Sequence, residues 1–484
     1  MKSIVSVVSI IALGFGLLSC SSSGGGGGGD STPAFAITTT AAPFGVVDNS
    51  YSTTLATVNG TAPFTWSLFT GSLPAGLNPI NPSTGAITGT PTAPGNLTAT
   101  FNVEDSTGKN ATGTVSFAIH PRTDRVSVDS NGNSVAGATN TEPSISRTGG
   151  RFIAFTSTGS TLIAGVVGQQ IYVHDRQTGQ PSLASKSSLG SAGIGGVSSG
   201  ASISADGRFI AFASTATNLV PGASGQQIYL HDTQTSVAFP NGQTTLVSKD
   251  NSGAPSDGSI KTNPAISADG RFITYEANAT TLVPGVSGQQ IYLHDTQTSV
   301  AFPNGQTTLV SKDNSGAPSD GSIKTNPAIS ADGRFITYEA NATTLVPGAS
   351  GQQIYLHDTQ TSVAFPNGQT TLISKNNSGT AGDGLSKTPT ISNDGRFIAF
   401  ASASSNMVIG ISGAQIYRHD TQASVAFPNG QTIPVSINDS GVAGVGLSTG
   451  PAITSDGSAI AFVSTAPLAP GAAAASDIYV RALP

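Results

Sequence analysis

Ser204-Ala205-Asp206-Gly207-Arg208-Phe209-Ile210-Ala211-Phe212 sets the fold, because this stretch returns along the chain with little change. Its arginine falls at Arg151, Arg208, Arg271, Arg334 and Arg396, with a worn sixth copy at Ser458, giving spacings of 57, 63, 63, 62 and 62 residues. Asp206-Gly207 supplies a tight hairpin turn. The strand that follows is apolar on both faces, with Phe209 and Ala211 pointing one way and Ile210 and Phe212 the other. A sheet wet on one side would alternate apolar with polar, so this strand belongs to a sheet packed between two others. Six such units, each burying its faces only against its neighbours, predict an all-β, six-bladed β-propeller.

Each unit reads as four strands. A short strand comes first (EPSIS at 142–146, NPAIS at 263–267 and 326–330, TPTIS at 388–392), then RFIAF or RFITY, then QIYLHD, then TTLVS. The last copy stops at its third strand, Asp477-Ile478-Tyr479-Val480-Arg481, while Thr123-Asp124-Arg125-Val126-Ser127-Val128-Asp129 precedes the first copy and matches the fourth-strand pattern. Pairing these two segments would close the ring and remove both sheet edges, and the ring is expected to close that way. Residues 288–348 repeat 225–285 without a change. So recent a duplication implies that the duplicated units carry little position-specific chemistry.

The N-terminus, MKSIVSVVSIIALGFGLLSC, has one basic residue and an apolar stretch from Ile4 to Leu18, an export signal too short to span a membrane. Cys20 is the only cysteine, so it has no disulfide partner within the chain. SSSGGGGGGD follows it as a flexible tether. Residues 33–120 carry no copy of the repeat and read as short alternating strands between Gly, Pro and Asn turns, a small β-sandwich. Trp66 sits in an apolar strand on the same face as Phe64 and Leu68, and is read as core rather than as a sugar-stacking platform. The expected domains are therefore 1–19 signal, 20–32 tether, 33–120 sandwich and 121–484 propeller. Only 10% of residues are charged and the net charge is −6, so no basic stripe exists to neutralise phosphates and nucleic acid is not an expected partner.

Three resemblances add to this reading. Leu17-Leu18-Ser19-Cys20 resembles the lipobox of bacterial lipoproteins, which implies lipidation of Cys20, membrane contact through the lipid alone and, with Ser21 next, placement at the outer membrane. Trp66, Leu73-Pro74-Ala75-Gly76-Leu77, Gly85-Ala86-Ile87-Thr88-Gly89-Thr90-Pro91 and Val103-Glu104-Asp105 resemble, in order, the immunoglobulin-like domains found in tandem on bacterial surface proteins. SADGRFIAF, NLVPG, QIYLHD and LVS resemble the TolB-type, WD-repeat-like propellers of bacterial envelopes, over roughly residues 123–484. That family implies a fold and no single activity.

Candidate chemistry is sparse. Five His-Asp pairs, at His174, His231, His294, His357 and His419 with the aspartate after each, recur at the end of the third strand. Spread around the rim they cannot converge on one ion, and each aspartate is expected to accept a hydrogen bond from the following turn. Asp129-Ser130-Asn131-Gly132-Asn133 and Asp250-Asn251-Ser252-Gly253 are oxygen-rich, but lack the glutamate that completes a calcium loop. No cofactor is expected, calcium at these loops being the alternative, and no nucleophile motif is present. Paired carboxylates for glycoside chemistry do not stand apart from the repeat; Glu104 and Glu142 are the unrepeated glutamates, whereas Glu276 and Glu339 are copies.

What remains is a surface. The long polar loops between units place Lys249, Asp250, Asp257 and Lys261, with the copies Lys312, Asp313, Asp320 and Lys324, as the expected binding residues. On the other face, Phe239, Phe302, Phe365 and Phe427 lie in repeated inserts and are expected to fold back on their own units. The expected function is a non-catalytic envelope lipoprotein whose propeller binds a protein or glycan. The alternatives are a polysaccharide lyase or hydrolase at the channel mouth, and a structural subunit of an envelope assembly.

Overall fold

A computed structural model describes residues 34–120, 125–258, 261–321, 323–444, 446–469 and 476–483. The signal sequence, Cys20, the tether and Thr123-Asp124 lie outside the described residues. The chain divides into two compact units at Ile119/His120, and every described regular element is a β-strand.

In the first unit, Gly45–Val46, Asn110–His120, Gly95–Glu104 and Thr65–Gly71 form one sheet in that order, and Tyr51–Thr54 pairs with Ala86–Gly89. Trp66, Phe101, Val103, Val115 and Phe117 from the larger sheet pack with Tyr51 and Ile87 from the smaller, the two-layer core expected of a sandwich. Trp66 is 4% exposed, so it is core. Leu68 does not share that burial: the register shifts after it, against Thr70, and the side chain stays exposed. The hairpin from Glu104 to Asn110 turns on Asp105, whose Oδ1 accepts the Thr107 and Lys109 amides at 2.9 and 3.0 Å.

Among the described residues the second unit is six sheets in succession, five of four strands and a last of three. The second blade is typical, with Ser198–Ile203, Phe209–Ser214, Gln227–Asp232 and Gln243–Leu246 as an antiparallel meander. Its Asp206-Gly207 turn forms because Gly207 takes φ +79° and the Asp206 carboxylate accepts both the Arg208 amide and the Ser204 hydroxyl. Both faces of the second strand are buried, as its sequence predicts. Ile210 and Phe212 join Ala154, Ile171 and Val173 of the first blade, while Ala211, Ala213, Ile228 and Leu230 join Ile273, Tyr275 and Ala277 of the third. Burying a large apolar side chain in this way contributes roughly 1.5–3 kcal/mol, so blade contacts supply most of the stability.

Two hydrogen-bond systems fix blade to blade. The amides of successive first turns donate to the next turn, from Thr148 to Ala205, Ala205 to Ala268, Ala268 to Ala331, Ala331 to Asn393 and Asn393 to Ser455, at 2.8–3.0 Å. At the rim, each inter-blade loop folds onto the outer strand of the blade that follows. There the Thr307 amide donates to Asn251 Oδ1 and its hydroxyl to the Lys249 carbonyl, both at 2.7 Å.

The first strand of each blade carries a bulge at the same place. Glu142, Gly200, Asn263, Asn326, Thr388 and Gly450 all take φ between 49° and 66°, and where the partner strand is paired the register shifts beside them. Except after Gly200, the next residue is proline, which has no amide for the ladder; a bulge absorbs the gap.

Part of the expected latch, Thr123-Asp124, lies outside the described residues. Val126 packs on the first blade's core, as a preceding blade's fourth strand would, and Val128 bridges Ser134 in the loop that follows, as Lys249 bridges Pro255. Yet Asp477–Ala482 pairs only with Ala459–Ser464 among the described residues, and no described pairing joins it to residues 125–129. Ile478 is 78% exposed where its counterpart Ile416 is 0%, and Ile145 in the first blade is 56% exposed.

Candidate functional site

The third strands place five histidines and five aspartates at repeated positions, and the framework uses them. In four blades the imidazole Nδ1 shares a 2.9 Å hydrogen bond with a threonine on the adjacent strand, His231 with Thr244, His294 with Thr307, His357 with Thr370 and His419 with Thr432. Because the Thr307 hydroxyl donates to the Lys249 carbonyl, the Nδ1–H of His294 must be the donor to Thr307, which fixes the tautomer. Burial pushes His231 down to about 4 and the other three to about 3, so they are neutral at physiological pH.

Each aspartate accepts the expected turn amide, as Asp232 does from Gln234 at 2.9 Å. It also takes a two-pronged bond from the arginine that opens the second strand, a partnership the sequence reading missed. Its signal was the constant separation of 24 residues, from Arg151–Asp175 through Arg396–Asp420.

The eight loop residues expected to bind do not form one surface. Lys261 and Lys324 are buried, with Nζ donating to the Gly258 and Gly321 carbonyls at 2.8 and 2.6 Å. Burial pushes the Lys261 ammonium down to about 8, against the pull of Asp257. Asp257 and Asp320 clamp the next loop, each accepting two threonine amides and two threonine hydroxyls. Asp250 and Asp313 close their own turns. Lys249 and Lys312 line matching rim clefts of about 490 and 460 Å³ between successive blades. In the inserts, the phenylalanines are half-buried and Val237, Val300, Val363 and Val425 project fully into solvent.

The first strands converge on something the sequence did not single out. Glu142, Asn263, Asn326 and Thr388, with Pro264, Pro327, Pro389 and Pro451, line a bore of about 410 Å³. Glu142 Oε2 accepts the Gly200 amide at 2.7 Å and the Thr156 hydroxyl at 2.8 Å. Behind the wall, Glu276 Oε1 accepts from the Thr262 hydroxyl and, at 3.1 Å, from Asn263 Nδ2, while among the described residues its buried Oε2 has no partner. Glu339 accepts from Asn326 and from Gln352; burial pushes its carboxyl above the ordinary range, against those hydrogen bonds. Arg147, on the first blade's turn, donates to Asn393 Oδ1 on the fifth. Among the described residues no trio of His, Cys, Asp or Glu is grouped to hold a metal.

Residues 31–120 match the family model described as Putative Ig domain. No curated protein matches the chain. Among solved structures, a prolyl endopeptidase is 13% identical over 86% of this chain and 50% of its own, with a TM-score of 0.42. The acylaminoacyl peptidase of Pyrococcus horikoshii is 12% identical over 86% and 51%, with a TM-score of 0.37. The periplasmic gluconolactonase of Pseudomonas aeruginosa is 13% identical over 80% and 95%, with a TM-score of 0.34. The chain spans about half the length of the two peptidases it resembles.

Proposed function

We propose that this chain is a cell-envelope lipoprotein, anchored through Cys20, whose TolB-like propeller is a non-catalytic scaffold for a protein or glycan. The observation that carries this reading is the state of the histidines and aspartates. Four imidazoles are locked neutral against threonines and the aspartates are locked to arginines, so the residues best suited to chemistry are committed to the frame. The lipobox resemblance supports the anchor and the outer-membrane address, and the immunoglobulin-like unit supports a spacer role.

Affinity capture from detergent-solubilised envelopes, together with a glycan array, tests the scaffold. A stable protein complex or saturable glycan binding is expected, and turnover of a polysaccharide would overturn the reading. For the anchor, Cys20→Ala is expected to move the protein out of the membrane fraction; retention there would refute lipidation as the attachment.

A further inference from the structure

Glu142 stands where the other blades place Gly200, Asn263, Asn326, Thr388 and Gly450. Its hydrogen bonds follow a joint seen elsewhere in the ring, since Glu339 likewise takes Asn326 of its own blade and the Thr388 amide of the next, but Glu142 makes that joint from the first strand, at the bore. The position also disfavours glutamate: a side chain at φ 54° costs on the order of 1–2 kcal/mol, which glycine avoids. Among the described residues it is the carboxylate that lines the bore. Its Oε2 is held by the Gly200 amide and the Thr156 hydroxyl, and its other oxygen takes no hydrogen bond among the described residues.

The surroundings make the bore a site for positive charge. Its lining contains Glu142 and no lysine or arginine. A second carboxylate, Glu276, lies immediately behind Asn263, 95% buried by the complement of its 5% exposure, with Oε2 unpartnered. A buried carboxylate oxygen without a donor is costly, and Glu142 supplies the charge that a cation entering the bore meets. The rest of the wall is suited to a small polyol. The nitrogens of Asn263 and Asn326 are turned to Glu276 and Glu339, so their oxygens accept, the Thr388 hydroxyl both donates and accepts, and the proline rings offer flat apolar faces. The volume falls within the usual range for small-molecule sites.

We propose that the bore binds a primary ammonium group carried on a small hydroxylated body, the chemistry of an amino sugar, with Glu142 as its counter-ion. The proposal rests on reading the propeller as a glycan binder. The ammonium offers three donors, which Glu142 and the oxygens of the two asparagines accept, and acetylation of the amine removes both the charge and two of those donors.

Calorimetric titration of the detergent-purified full chain with glucosamine, N-acetylglucosamine, glucose and calcium chloride tests this. Glucosamine is expected to bind saturably, with the acetylated and amine-free sugars weaker by about tenfold or more, the usual worth of one charge-assisted hydrogen bond. Glu142→Gln, which keeps shape, is expected to abolish that preference. The comparison among sugars on the unaltered protein needs no variant to fold. Equal binding of the three sugars, absence of glucosamine binding at millimolar concentration, or unchanged discrimination in Glu142→Gln would each overturn the proposal. Calcium heat that disappears in Glu142→Gln would also overturn it, in favour of a metal site. If the glycan array is positive while glucosamine is silent, the bore assignment fails and the scaffold stands; the reverse pattern separates them the other way.

Discussion

Arg208 and Asp232 form a two-pronged ion pair, Nε to Oδ1 and Nη2 to Oδ2 both at 2.7 Å, while the same guanidinium lies 4.5 Å from the centroid of the Phe209 ring. Four other blades repeat the pair, so the outer end of each second hairpin is pinned to the third strand. The arginine is about two-fifths exposed, which screens the charge. Arg208→Ala is expected to lower stability by about 1–2 kcal/mol through lost pairing and lost ring contact. Urea denaturation measures it, and an unchanged midpoint would refute the pinning role.

Protonation should dismantle the frame in two stages. The unfolded imidazoles take up protons below about pH 6.5, while folded His231, His294, His357 and His419 stay neutral until about 3–4. Their contribution is complete above pH 6.5 and is lost as pH falls, by up to about 1.4 kcal/mol per unit per histidine. For Asp175, Asp232 and Asp420, burial would raise the pKa, but the arginine and turn hydrogen bonds prevail and hold it below the usual carboxylate range. That second contribution is present above about pH 4 and is lost below it. Stability measured from pH 7.5 to 3 should decline from 6.5 downward, and a flat profile from 6.5 to 4.5 would contradict the buried neutral histidines.

Two glycines with the same backbone should respond differently to alanine. Gly270 has φ +78° and Gly285 φ +79°, yet a Cβ at Gly270 would lie 2.1 Å from the Phe209 ring of the preceding blade, whereas nothing lies within 4 Å of one at Gly285. Gly285→Ala is expected to cost about 1–2 kcal/mol from conformation alone, and Gly270→Ala about 2–4 kcal/mol with overpacking added. Equal shifts in melting temperature would argue against blades in contact at that turn.

Two equivalent isoleucines of unequal exposure make a paired prediction. Ile416→Lys, at a fully buried position, is expected to cost several kcal/mol, about 3–5, whereas Ile478→Lys, 78% exposed, is expected to change stability by about 0.5 kcal/mol or less. A large loss from Ile478→Lys would show that Ile478 is covered in solution.

Trp66, the chain's one tryptophan, is 4% exposed. Its emission is expected to be blue-shifted, resistant to acrylamide quenching and indifferent to added glycans, reporting the first unit alone. Quenching by sugar would restore the platform role.

Blade number, turn position and two-sided burial were legible because each depends on local pattern: Asp206-Gly207 needs only its neighbours, and RFIAF declares burial on both faces. The candidate site was not legible, for reasons of the same physics. Asn263-Pro264 reads as an ordinary strand, and the positive φ and shifted register that bring Asn263 to the bore recur at Gly200, where alanine follows, so no single local residue announces them. Lys261 and Lys324 look like loop cations, because nothing adjacent to them in sequence reports the carbonyl each donates to inside the fold. Glu142 was noticed as unrepeated, but its value depends on five counterparts brought around it by closure of distant contacts.

The ladder of turn amides joins every blade to its successor through the same bond, and 225–285 is duplicated at 288–348. Recombination between those twins would add or delete a wedge while leaving each joint native. Aperture would then step in whole increments, whereas Glu142 and Arg147, encoded once, would keep their solitary posts. Evolution can thereby change the calibre of the opening independently of the charge that guards it.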